Sequence, residues 1–223
     1  MFEELLTSDK YSSFQIGMYY LGAICWFLSY VVVLRRAFKL KFIEFPIMAV
    51  SANVIWEFIW GFLFELDFGG NYLLTLWRMG FGLDVLIFYT VLKYGKIQVS
   101  TPQITKYYVP IMLFASLCSG VLIYTYKVSG YDLPMGINSG MILNVMMSAL
   151  AILLIWQLQD KEFSFWAGFL RFLGTDVFFF IYIVSVYPTL SFPVAMCVIC
   201  FILDFYYLYL TIRRKKELAQ TTR

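Results

Sequence analysis

The chain of 223 residues contains no histidine. That removes the usual general base at neutral pH and the commonest metal ligand. Charge is also scarce. Asp, Glu, Lys and Arg make up 14% of the residues, against about 25% in soluble domains. Hydrophobic residues make up 61% and aromatic ones 21%. This balance excludes a soluble catalytic module and points to an integral membrane protein. No Pro-, Gly- or Ser-rich stretch marks a linker, so a single domain over residues 1–223 is expected. The four cysteines, Cys25, Cys118, Cys197 and Cys200, all fall in apolar segments. Cys197-x-x-Cys200 has neither a second pair nor a histidine to complete a zinc site, so no metal and no cofactor are expected. The net charge of +3 does not indicate a nucleic-acid partner, because the basic residues cluster where membrane topology requires them.

Seven apolar runs are long enough to cross a bilayer: Phe14–Leu34, Phe45–Phe64, Leu73–Lys93, Tyr107–Tyr126, Met135–Gln157, Phe165–Val186 and Phe192–Ile212. The expectation is an all-α protein with seven transmembrane helices. Residues 1–13 form a short N-terminal segment without the basic region or cleavage site of a secretory signal, so no cleavage is expected. The loops after helices 1, 3 and 5 carry Arg35, Arg36, Lys39, Lys41, Lys93, Lys96, Lys106 and Lys161, and residues 213–223 form a basic tail. The opposite loops hold only Lys127. By the positive-inside rule the N-terminus lies outside and the tail in the cytoplasm. The membrane is the bacterial plasma membrane or the endoplasmic reticulum, and membrane lipids are the surrounding partners. Glu65-Leu-Asp67-Phe-Gly69-Gly70-Asn71 is read as a turn whose acids line a mouth.

The polar groups inside these runs carry the functional reading. Asn53 and Glu57 lie four apart, on one helical face, with Trp56 and Trp60 beside them. Asp84 shares a face with Trp77, Gly80 and Phe81, and Arg78 lies on another face. Helix 6 carries Arg171 and Asp176, and helix 7 carries Asp204. Inserting four ionised acids would cost on the order of 10 kcal/mol. They must therefore face a cavity, pair with Arg78 or Arg171, or hold protons. Asn53 is expected to hydrogen-bond a protonated Glu57. Trp56, Trp60, Trp77, Phe81, Phe201 and Tyr207 are expected to form an aromatic box for an apolar ligand. Asp84 and Asp204 are 120 apart, and Glu57 and Asp176 are 119 apart. These offsets suggest a 3+1+3 pseudo-repeat around helix 4.

Size, seven helices, Trp56-Glu57 in helix 2, Trp77 with Asp84 in helix 3 and Asp204 in helix 7 together make the chain resemble the integral-membrane terpene cyclases of fungal meroterpenoid and indole-diterpene pathways, a family with bacterial relatives. The resemblance implies that Glu57 and Asp204 are the catalytic acids, with Asn53, Asp84, Asp176 and Arg78 in supporting roles. It implies a hydrophobic polyprenyl-type substrate. Glu57 would protonate its terminal epoxide or alkene, and aromatic faces would stabilise the cation during ring closure. Asp204 would take up the final proton or steady the cation. The D-D-x-x-D stretch with which diphosphate-ionising terpene synthases hold magnesium is absent.

The rival reading is a small-solute or proton-coupled transporter with the buried acids as proton relays. Its helices should carry prolines at matching positions, whereas Pro46, Pro110, Pro134, Pro188 and Pro193 sit at helix ends and Pro46 and Pro193 do not correspond under the 120-residue offset. A retinal photoreceptor is excluded because helix 7 has no lysine for a Schiff base. A carotenoid cyclase shares the acid-initiated logic with another substrate. A structural or receptor role predicts that replacing Glu57 harms folding rather than turnover.

Overall fold

The computed structural model describes residues 10–65, 70–187, 189 and 191–221, and all the regular structure among them is helical. Each of the seven apolar runs forms a helix: α1 Ser13–Leu40, α2 Ile47–Phe62, α3 Gly70–Tyr94, α4 Tyr108–Val128, α5 Ile137–Gln157, α6 Phe165–Val186 and α7 Phe192–Thr221. A 3-10 turn, Gly95–Gln98, and a five-residue helix, Pro102–Lys106, join α3 to α4. Ser12 opens α1 through a capping box with Gln15, in which each side chain accepts the other residue's backbone N–H.

Three features differ from the sequence expectation. The helix α1 runs six residues past its apolar stretch, so Arg35, Arg36 and Lys39 lie on its last turns rather than in a loop. Arg213, Arg214, Lys215 and Lys216 of the tail likewise belong to α7, while Arg223 lies outside the described residues. Lys39, in the last turn of α1, is favourable there because the terminal backbone carbonyls lack partners. Six helices are long and apolar enough to cross a membrane, whereas α2 has only 16 residues. That is ~24 Å of helix, short of a hydrocarbon core of about 30 Å. Of the turn expected to line a mouth, Asp67 and Gly69 lie outside the described residues, as do residues 1–9 of the N-terminal segment and Pro188.

The helices close into a ring. Helix α1 packs beside α3 and α6, α3 beside α2, α2 beside α5, α5 beside α7, and α7 beside α6. Helix α4 stands outside the ring, against α2 and α3. The middle of α6, Leu173–Phe179, widens into a π-helical segment. There the backbones of α1 and α6 approach so closely that a Cβ on Gly22 would come within 3.1 Å of the Gly174 carbonyl oxygen. The widened turn turns Thr175 toward α1, where it accepts the Trp26 indole N–H at 2.9 Å.

The link between α1 and α2 is buried, from Phe42 to Pro46, and its backbone groups need partners. Gln98 supplies them: its amide donates to the carbonyls of Ile43 and Phe45 and accepts the Ile47 N–H. Glu44 in the same link pairs with Arg36 and accepts the Ser164 N–H at 2.9 Å, which ties α1, α2 and α6 together at one end. Burial pushes the Glu44 carboxyl up, and the Arg36 guanidinium beside it pulls back.

Candidate active site

A cavity of about 710 Å³ lies inside the ring, walled by α1, α2, α3, α5 and the π segment of α6. That size suits a single elongated ligand. Its lining is apolar and aromatic, with Tyr19, Tyr20, Trp26, Phe27 and Tyr30 from α1, Trp56 from α2, Trp77 from α3 and Phe179 from α6. Trp56 and Trp77 pack with ring centroids 5.0 Å apart.

Glu57 opens onto this cavity. Its carboxyl rests over Gly80 of α3, where a Cβ would stand 3.7 Å from Oε2. Among the described residues it forms no ion pair. Asn53, one turn earlier, also lines the cavity, but its amide does not serve Glu57. Nδ2 donates to Asp84 at 2.8 Å and to the Tyr30 hydroxyl at 2.9 Å. Asp84 is buried behind the wall, one turn after the Gly80 against which Glu57 rests.

Trp56 is fixed from the opposite side. Its indole N–H donates to the Ser139 hydroxyl at 2.8 Å, and that hydroxyl donates to Asp132. Asp132 also accepts the backbone N–H groups of Asn138 and Ser139, at 3.0 and 3.1 Å. The ring then packs on α5, where a Cβ on Gly140 would come within 2.9 Å of Trp56 Cζ2. Just before α5, Gly136 takes a left-handed backbone conformation, φ 71°, against both Trp56 and Trp60.

A second polar cluster stands apart from the cavity wall. Arg171 of α6 and Asp204 of α7 form a buried ion pair. The guanidinium also covers the Tyr207 ring, 5.4 Å from its centroid. Asp176 is buried beside Asp204 and forms no ion pair among the described residues. Arg78, expected as a partner for an acid, instead donates to the Gly61 carbonyl at 3.2 Å and lies over the Phe62 ring. No group of residues that could hold a metal ion occurs among the described residues.

Of the six aromatics expected to form a box, Trp56 and Trp77 line the cavity. Trp60 is buried against Phe64. Phe81 packs with Phe58 and Phe62. Phe201 is exposed beside Phe172. Tyr207 lies under Arg171.

Residues 7–187 match the family described as Pyr4-like transmembrane terpene cyclases. The chain belongs to that family. Similar curated proteins are the Pyr4-family terpene cyclase mfmH of Annulohypoxylon moriforme, 28% identical over 40% of this chain and 35% of that protein, and the terpene cyclase macJ of Penicillium terrestre, 26% identical over 34% of this chain and 29% of that protein. The terpene cyclase ascF of Acremonium egyptiacum is 25% identical over 34% of this chain and 27% of that protein. The chain thus aligns with only about a third of the length of these relatives. No solved structure matches.

Membership of this terpene cyclase family does not favour a transporter. The family match covers Glu57, Asp84 and the cavity, and ends before α7 and Asp204. Sequence reasoning missed the wall supplied by α1 and α6, because Tyr19, Tyr20, Trp26 and Phe179 look like ordinary lipid-facing aromatics in an aromatic-rich chain. It also missed the Asp132–Ser139 anchor. The Asp-x6-Ser spacing across the start of α5 is its one trace in the sequence.

Proposed function

We propose that the chain is a membrane terpene cyclase whose Glu57 protonates the terminal epoxide or alkene of a polyprenyl substrate held in the α1–α2–α3–α5–α6 cavity. The observation that carries this reading is a carboxyl without an ion-pair partner in the wall of a cavity that is otherwise apolar and aromatic. Glu57 and Asp84 interact in an apolar interior with no cation paired to either among the described residues. Two such carboxyls cannot both ionise cheaply, so a proton is kept in the pair and Glu57 can donate it.

Donation to an epoxide oxygen breaks the C–O bond as the neighbouring alkene closes on the carbon, and the positive charge moves along the chain with each ring closure. The faces of Trp56, Trp77, Tyr19 and Trp26 supply negative quadrupole potential to that charge, and the apolar wall keeps water from quenching it. Loss of a proton from the last cation forms the product alkene and returns one proton to a carboxylate. Overall the substrate is isomerised, and this proton cycle needs no metal.

The resemblance gives the final proton to Asp204. Its carboxylate is bound to Arg171 off the cavity wall, and we infer that it acts by holding α6 and α7 in place. Seven spans, with α2 as the short one, an outer N-terminus and a cytoplasmic α7 end, remain our reading of the topology from the loop charges. The neighbour order α1–α3, α2–α3 and α1–α6, mirrored by α5–α7, α6–α7 and α5–α2, supports the 3+1+3 pseudo-repeat.

The test uses membranes containing the wild type or Glu57→Gln, a panel of epoxidised polyprenyl compounds, and mass spectrometry of cyclised products. Conversion by the wild type and loss in the well-accumulated variant support the reading. Full activity in Glu57→Gln overturns it.

A further inference from the structure

The cavity wall has few polar side chains, and almost all are engaged by other protein groups. The Trp26 indole is held by Thr175 and the Trp56 indole by Ser139. Asn53, Tyr30 and Asp84 hold one another. Trp77 bonds Tyr19, and Tyr20 has a partner of its own. Two polar side chains on the wall have no hydrogen-bond or ion-pair partner among the described residues: Glu57 and Asn144. Glu57 is the proposed acid. Asn144 has no role in that chemistry.

Asn144 sits in the middle of α5, one turn after Gly140 and on the same face, next to the surface on which Trp56 lies. Its backbone carbonyl accepts the Ser148 hydroxyl at 2.8 Å, but its amide reaches no other helix. An interhelical clamp would require such a bond. A free amide within a membrane-embedded wall is costly unless something satisfies it. It offers two N–H donors and a carbonyl acceptor, so it can take a hydroxyl, carbonyl or ether oxygen. Glu57 rests against α3 and Asn144 projects from α5, and these two helices flank α2 on either side. The two free polar groups therefore face a ligand from different walls.

Building on the cyclase reading, we infer that Asn144 is a specificity-determining residue that hydrogen-bonds a second oxygen of the substrate, remote from the group that Glu57 protonates. The bond fixes how far the chain enters the cavity and so which epoxide or alkene meets Glu57.

The experiment compares two epoxy-polyprenyl compounds of equal chain length, one bearing a hydroxylated ring at the far end and one ending in hydrocarbon. The readout is the ratio of their kcat/KM values, which does not depend on the amount of folded protein. In Asn144→Leu the ratio should fall about tenfold in disfavour of the oxygenated compound, mostly through KM, as expected for one lost hydrogen bond. Asn144→Ser, which keeps a donor and an acceptor, should recover part of that ratio. If Asn144→Leu accumulates poorly, Asn144→Ala provides the same comparison. An unchanged ratio, or equal losses on both compounds, overturns the inference while leaving the cyclase reading intact. A wild type that converts neither compound overturns both.

Discussion

Asn53 gives its amide to Asp84 and Tyr30, not to Glu57, although Glu57 is only one turn away on the same helix. Both N–H groups of the amide are used, one reaching across to α3 and the other to α1. The arrangement binds three helices behind the cavity and leaves the Glu57 carboxyl on the cavity wall. On the proposed reading, Asp84 and the apolar wall, rather than a local amide bond, would keep a proton on Glu57.

Glu57→Gln keeps the shape and hydrogen-bonding capacity of the side chain but has no acidic proton. Turnover should fall by about 10²–10⁴-fold, the usual contribution of a positioned general acid. Accumulation in the membrane and thermal stability in detergent should hardly change. Quantifying product per unit of protein checks this, and a matching drop in stability would point to a structural role instead.

Asn53→Leu removes the donor shared by Asp84 and Tyr30 and leaves Asp84 buried without it. The expected loss of stability is about 1–3 kcal/mol, seen as a lower thermal midpoint in detergent. Asn53→Asp should be worse, because it places a third carboxyl among Asp84 and Glu57 with no cation to offset it. Equal midpoints for Asn53→Leu and the wild type would show that the bridge seen between α1, α2 and α3 does not hold the fold.

Much of the architecture was legible. Each apolar run became a helix, and Glu57 stood out because a carboxyl in lipid is expensive whatever its surroundings. What periodicity could not show was which face meets the cavity. Trp56 and Trp60 lie on one face at i and i+4, yet Trp56 lines the cavity while Trp60 is buried against Phe64. Gly136, in the turn before α5, packs against both rings, whereas Gly140 of α5 packs against Trp56 alone. The π segment of α6 was hidden for a similar reason. One extra residue per turn leaves no mark on an apolar run, but it decides that Thr175 faces α1 and the cavity. Helix α2 illustrates a different limit. Its run is apolar from Phe45 to Phe64, but Pro46 sits at its N-cap and the helix ends at Phe62, which leaves 16 residues.

Ser139→Ala removes the group that receives the Trp56 indole N–H, and Asp132→Asn weakens the acceptor that holds Ser139. Neither residue lines the cavity. Both changes should free Trp56 to tilt away from Gly140 and alter the cavity's shape near Glu57. The expected result is a broader set of cyclised and incompletely cyclised products, with kcat reduced several-fold and the protein still accumulating. Chromatographic product ratios from the two variants test this. An unaltered product distribution in both would show that Trp56 keeps its place without the anchor.

The Arg171–Asp204 pair allows the role of Asp204 to be separated from its contribution to stability. Breaking a buried ion pair by removing one partner typically costs about 3–5 kcal/mol, whereas replacing both with apolar residues of similar size is often neutral or stabilising. Asp204→Asn and Arg171→Leu should each lower the thermal midpoint and, with it, the yield of active protein. The double change Arg171→Met with Asp204→Leu should restore the midpoint. If Asp204 acts only by joining α6 to α7, the double variant recovers cyclisation along with stability. If Asp204 is the terminal proton acceptor that the family resemblance implies, the double variant is stable but inactive, or it releases products whose final cation has been captured by water. Asp176, beside Asp204 without an ion-pair partner among the described residues, gives a control: Asp176→Asn removes one of two neighbouring buried carboxyls and should leave the midpoint unchanged or raise it.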